Sequence, residues 1–279
     1  MLWRCRDRDF DLSGRTLVMG VVNVTPDSFS DGGRYLEPGA AVAHARRLLA
    51  EGADLLDLGA ESTRPGAPPV GPAEQIRRLA PVLEALAGEP AACVAVDTAS
   101  AEVAAYALGR GARIVNDVTA LADPGMAPLA AASGAGLVLM HMAGTPATMQ
   151  RDPRYGDVAR EVGGWLAGRL TAAATAGIAP EAVALDPGIG FGKTVEHNLQ
   201  LLARLGELAG TGRPLLVGLS RKNFIGKTLD LPVDQRLEGG LAAAAVAVFL
   251  GARVVRTHDV AATVRAVRMA DALRAARRT

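Results

Sequence analysis

Eight short aliphatic runs, at positions 17–22, 55–58, 93–96, 114–115, 137–140, 183–185, 215–218 and 254–256, recur along the 279-residue chain. Between them lie Ala-, Leu- and Arg-rich stretches of helical period, such as 40–50, 73–86, 101–108, 158–176, 196–208 and 237–250. A run without polar alternation is a strand buried on both faces, and strands that alternate with helices form a parallel sheet with crossover helices. Eight such units over this length predict an α/β fold in which the sheet closes, a single (β/α)8 TIM barrel, in preference to an open doubly wound sheet. No Pro/Gly/Ser tract divides the chain, so the barrel is expected to occupy residues 16–279 behind a short N-terminal extension, residues 1–15. The longest helix-poor intervals, 25–38 and 59–72, follow the first and second strands, where a barrel carries substrate-closing loops.

Bulk chemistry narrows the partners. The chain is 49% hydrophobic but only 4% aromatic, and its net charge is +1 with basic residues scattered, so an aliphatic core is expected and a nucleic-acid groove is not. No apolar stretch reaches the ~18 residues of a membrane span, and the charged opening is no secretory signal; a cytoplasmic protein without membrane partner is expected. Cys5 and Cys93, the two cysteines, offer neither a disulfide framework nor a zinc motif. Lys193, Lys222 and Lys227 are the only lysines, and Asn23, Asn116, Asn198 and Asn223 the only asparagines, which makes each of them informative.

Polar residues stand at the carboxyl end of nearly every strand candidate: Asn23, then Asp57 to Glu61, Asp97, Asn116 with Asp117, His141, Asp186, Ser220 with Lys222, and Arg256 with His258. Taken singly, Asp57, Asp117 or Asp259 reads as a cap for the following helix. Taken together, ionisable groups gathered at one barrel mouth repel or desolvate one another unless they hold a ligand. Asp97, Asn116 and Asp186 suit the donor-rich edge of an amino-pyrimidinone ring, where one carboxylate bridges a ring N–H and an exocyclic amine. Arg64, Arg256, His258 and the Asn23 carbonyl suit a diphosphate with Mg²⁺. The glycine run from Asp186 to Lys193 lacks Walker spacing; it is expected to pass flat against a ring with Phe191 as an apolar wall, unless Phe191 is simply core. No serine has a histidine partner in an obvious motif, so covalent catalysis is not expected.

The motifs MGVVNVTPDSFSDGG from Met19, DLGAESTRPGA from Asp57, VDTAS from Val96, VNDVTAL from Val115, MHMAGTP from Met140, LDPGIGFGKTVEHN from Leu185, VGLSRKNFIG from Val217 and VRTHDV from Val255 follow one another in order. In this series the chain resembles the dihydropteroate synthases of the pterin-binding barrel family. The resemblance implies that Asp97, Asn116, Met140, Asp186, Gly218 and Lys222 hold a pterin, and that Asn23 ligates Mg²⁺ on its diphosphate. It implies that Thr63, Arg64, Arg256 and His258 grip that diphosphate, and that p-aminobenzoate lies against Phe29, Thr63, Pro65, Phe191 and Ser220, its carboxylate facing the helix after the seventh strand. Asp97, Asp186, Lys222 and Arg64 would carry the catalysis, a dissociative substitution. Two departures, Leu237-Glu-Gly-Gly240 and Thr257, touch helix capping and strand packing and put local stability in doubt.

Two other readings stay open on the sequence. A methyl-folate-dependent methyltransferase shares the barrel but has no diphosphate to hold, and Arg64, Arg256 and His258 argue against it; a pterin-binding paralogue without synthase activity is poorly separated by motifs. A homodimer is expected if the Ala-rich helix at 241–250 pairs its apolar face with a copy of itself, although burial within the barrel shell explains that face equally well.

Overall fold

The computed structural model describes residues 1–25, 38–62 and 68–277. An antiparallel hairpin, β1 (Leu2–Cys5) and β2 (Arg8–Asp11), precedes a closed parallel barrel. The barrel strands are β3 (Leu17–Asn23), β4 (Leu55–Gly59), β5 (Val94–Asp97), β6 (Ile114–Asp117), β7 (Gly136–Met140), β8 (Val183–Asp186), β9 (Leu215–Gly218) and β10 (Ala252–Thr257), with β10 closing on β3. All eight expected strands form, as the (β/α)8 reading requires. The helices are α1 (Pro38–Ala50), α2 (Pro72–Leu86), α3 (Ala101–Gly109), α4 (Met126–Ser133), α5 (Val158–Thr175), α6 (Val195–Ala203), α7 (Leu205–Leu208), α8 (Asn223–Leu229), α9 (Leu237–Leu250) and α10 (Val260–Ala276). None of them is long and apolar enough to cross a membrane.

Local chemistry sets several boundaries. Pro72 opens α2, Asp157 caps α5 by accepting from Arg160 N–H, and Thr194 with His197 forms a reciprocal capping box on α6. The helix expected over 196–208 is divided, because Arg204 leaves helical geometry at φ −106° and its guanidinium reaches both Asp157 and Glu207. The two family departures are absorbed. A Cβ at Gly239 would stand 2.7 Å from Ile225, so glycine lets α9 close on α8. Thr257 Oγ1 pairs with Thr263 Oγ1 at 2.9 Å and accepts from Asp259 N–H.

Strand parity divides the barrel into two surfaces. Val18, Val22, Leu56, Leu58, Val115, Leu137, Leu139, Val217 and Val255 face the helices and build the larger core. Leu17, Met19, Leu55, Cys93, Ala95, Ile114, Val138, Ala184, Leu216 and Val254 face inward and form a second core inside the barrel. Its floor is supplied by residues 1–15: Trp3, Cys5 and Leu12 are fully buried there, and Trp3 Nε1 donates to the Ala182 carbonyl at 2.9 Å. Cys5 and Cys93 remain free thiols, both buried.

Candidate active site

The inward parity that ends in aliphatic residues at the floor continues into polar residues at the mouth. Two positions beyond Leu55 comes Asp57; beyond Ala95, Asp97; beyond Ile114, Asn116; beyond Val138, Met140; beyond Ala184, Asp186; beyond Leu216, Gly218; beyond Val254, Arg256. Asn23 continues the same series on β3. The register sets Asn23 beside Gly59, Gly59 beside Asp97, and Asp97 beside Asn116. Since Gly59 lacks a side chain, the space between Asn23 Oδ1 and the Asp97 carboxylate is left open.

Arg256 ties this ring together. Its Nε donates to Asp57 Oδ2 at 2.5 Å and a terminal nitrogen donates to Asp97 Oδ2 at 2.9 Å, while Asn116 Nδ2 donates to Asp57 Oδ2 at 3.1 Å. Burial, reinforced by the neighbouring Asp57 carboxylate and opposed by Arg256, pushes the Asp97 carboxyl up to about 7. Burial likewise raises Asp186, against the pull of Lys222 and of the hydrogen bond from Gly188 N–H to its Oδ1 at 2.7 Å. Lys222 is pushed down to about 8 by burial, with Asp186 opposing and Arg256 assisting. Its Nζ donates to the Ile189 carbonyl and lies 4.4 Å from the centre of the Phe191 ring.

Behind that loop, buried Lys193 donates to the Gly188 and Phe191 carbonyls and to His141 Nδ1. Burial holds Lys193 down to about 7 and His141 down to about 3. On the next strand end His258 Nδ1 lies 3.1 Å from Ser220 Oγ, a pairing the sequence did not disclose. That hydroxyl has one proton and directs it to Asp259 Oδ2 at 3.3 Å, so it orients the imidazole and is not an activated nucleophile.

The mouth therefore gathers Asn23, Asp97, Asn116, Met140, Asp186, Gly218, Lys222 and Arg256, with Phe191 beside Lys222 and with Ser220 and His258 paired at the next strand end. Phe29, Thr63, Arg64 and Pro65 lie outside the described residues, as do parts of the two expected closing loops. The capping expectation fails for Asp57, whose inward parity takes it into the barrel to hold Arg256 and Asn116. Asp117, of outward parity, accepts from the backbone N–H groups of Thr119 and Leu121 and closes a turn, and Asp259 binds Arg221 at 2.7 Å. Arg256 was expected with the cations that face a diphosphate, yet its bonds here run to Asp57 and Asp97 at the acidic side. Asp57 is the inward position that the strand-end reading undervalued; its spacing of two from Leu55 was the available signal.

The family described as "Pterin binding enzyme" matches residues 19–258. The dihydropteroate synthase of Escherichia coli (strain K12) is 46% identical over 255 residues, spanning 91% of this chain and 90% of that protein. Yersinia pestis dihydropteroate synthase, solved with a sulfonamide drug complex, superposes with a TM-score of 0.93 at 44% identity over 99% of this chain and 100% of that one. The Xanthomonas albilineans enzyme in complex with 7,8-dihydropteroate gives 0.89 at 44% identity over 99% of both chains. With a barrel mouth of this composition and likeness over nearly its whole length, the chain belongs to the dihydropteroate synthase family of pterin-binding enzymes.

Proposed function

We propose that this chain joins (7,8-dihydropterin-6-yl)methyl diphosphate to p-aminobenzoate, giving 7,8-dihydropteroate and pyrophosphate, the transferase step of folate biosynthesis that its family is named for. The observation that carries the reading is the inward ring of Asp97, Asn116 and Asp186 beside Lys222. Carboxylates accept from the ring N–H and amine of a pterin, Asn116 offers both donor and acceptor, and Met140 and Gly218 leave room for a flat ring. Lys222 supplies a donor to the heterocycle.

The C–O bond to the diphosphate breaks with its electron pair leaving on oxygen, so positive charge develops on the methylene and spreads over the dihydropterin. Asp97 and Asp186 favour that cation electrostatically. The arylamine lone pair then forms the C–N bond, and the amine proton leaves with solvent or diphosphate. Arg64, Thr63, Arg256 and His258 are proposed to hold the leaving group; Arg256 spends two of its five N–H donors on Asp57 and Asp97 and keeps three. Mg²⁺ takes few protein ligands and keeps water and substrate phosphate oxygens, a requirement that the single amide oxygen of Asn23 at the mouth meets. When bound there, Mg²⁺ would neutralise charge on the departing diphosphate. Phe29, Thr63, Pro65, Phe191 and Ser220 are proposed to line the arylamine pocket, its carboxylate facing the start of α8.

A homodimer and a cytoplasmic setting complete the proposal. α9 and α10 pack on each other and expose Val246, Phe249, Met269 and Leu273, apolar side chains that a second copy would cover. Sulfonamide inhibition relieved by rising p-aminobenzoate tests the reading of the pocket; inhibition indifferent to p-aminobenzoate would count against it.

A further inference from the structure

Lys193 is 3% exposed, and its three hydrogen bonds run to Gly188 O at 2.9 Å, Phe191 O at 3.0 Å and His141 Nδ1 at 3.0 Å. When protonated, its three donors meet three acceptors, none of them a carboxylate. Burying a lysine cation in this way is costly unless each donor is satisfied, so the arrangement stands or falls as a unit. His141 is suited to its part. Buried and edge-on to Trp165 at 5.0 Å between ring centres, it stays neutral and presents Nδ1 as an acceptor.

The loop that Lys193 holds is the one that faces the mouth. Gly188 sits at φ +65°, and a Cβ there would fall 1.8 Å from the His141 carbonyl oxygen, so the loop backbone is pressed directly on the end of β7. On its other face Ile189 O accepts from Lys222, and the Phe191 ring lies under the same ammonium. One lysine therefore grips residues 188–191 from behind and another meets them from the front.

We propose that Lys193 is a positioning residue for the arylamine pocket: held by the imidazole of His141, it fixes the Phe191 ring and the Ile189 carbonyl against which Lys222 lies. This rests on the function proposed above. It touches neither substrate, so its loss acts through Phe191 and is felt by the second substrate first.

Steady-state kinetics on the full-length chain tests this. Lys193→Met is expected to raise KM for p-aminobenzoate by roughly tenfold, with KM for the pterin diphosphate within about twofold of wild type, the pattern of a displaced pocket wall. Loss of fold alone would lower the active fraction and leave both KM values unchanged. His141→Leu, which removes the acceptor, is expected to follow Lys193→Met, whereas His141→Asn, which keeps one, is expected to stay near wild type. This pair decides the matter if Lys193→Met does not fold. An unchanged p-aminobenzoate KM in Lys193→Met or in His141→Leu, or an equal rise for both substrates, overturns the proposal. A wild-type chain that makes no dihydropteroate overturns the function instead.

Discussion

Arg256 donates its Nε to Asp57 Oδ2 across 2.5 Å, although 199 positions separate the two residues in the chain. The pair spans from β10 to β4 over the intervening β3, and Asp57 is fully buried. Its other oxygen, Oδ1, has no hydrogen-bond partner among the described residues. Removing the charge leaves the partly buried guanidinium with Asp97 alone, and breaking a largely buried pair in this way costs up to about 3–5 kcal/mol. Asp57→Asn is therefore expected to lower Tm by roughly 10 °C, at the ~2–4 °C per kcal/mol typical of chains above 150 residues. A wild-type melting curve would show that the pair contributes nothing.

Asp97 is expected to bind the pterin as a carboxylate, so Asp97→Asn should weaken pterin affinity by about 1.5–3 kcal/mol, the scale of a charge-assisted hydrogen bond. Calorimetric titration with a pterin checks this, and unchanged affinity removes the role.

The same group gives the pH profile its acid limb. Because Asp97 is raised to about 7, it takes up a proton on acidification below neutrality and loses its acceptor; because Lys222 is lowered to about 8, it loses its cation on the alkaline side. The value of kcat/KM for the pterin substrate should fall on both sides of a narrow maximum. In Asp97→Asn the acid limb should flatten. An acid limb that persists unchanged in that variant assigns it to another group.

The barrel was legible because its strands are aliphatic on both faces, and the mouth because polar residues interrupt that pattern at each strand end. What escaped was direction. Asp57 and Asp117 look alike after a hydrophobic run, yet the first shares parity with Leu55 and enters the barrel while the second shares parity with Val115 and closes a turn. The Lys193–His141 and Ser220–His258 contacts escaped for a different reason: they are brought together by loops, and loop geometry carries no sequence period. The first fifteen residues, short and charged, conceal Trp3, Cys5 and Leu12 in a pattern too brief to read as floor.

That floor is open to a direct test. Trp3 is fully buried and its indole N–H is bonded to Ala182 O, so Trp3→Ala should destabilise the chain by about 3–5 kcal/mol, as large core truncations do. Because Trp3 lies at the end of the barrel away from the mouth, both KM values should hold while denaturant midpoints fall. A variant as stable as wild type would mean that the hairpin merely rests on the barrel.

The most direct test of the central claim is to measure dihydropteroate and pyrophosphate together, from purified protein given the pterin methyl diphosphate with and without p-aminobenzoate and Mg²⁺. The account predicts equimolar formation of the two products, dependent on both additions. Protein that binds pterin yet releases no dihydropteroate under those conditions would contradict it.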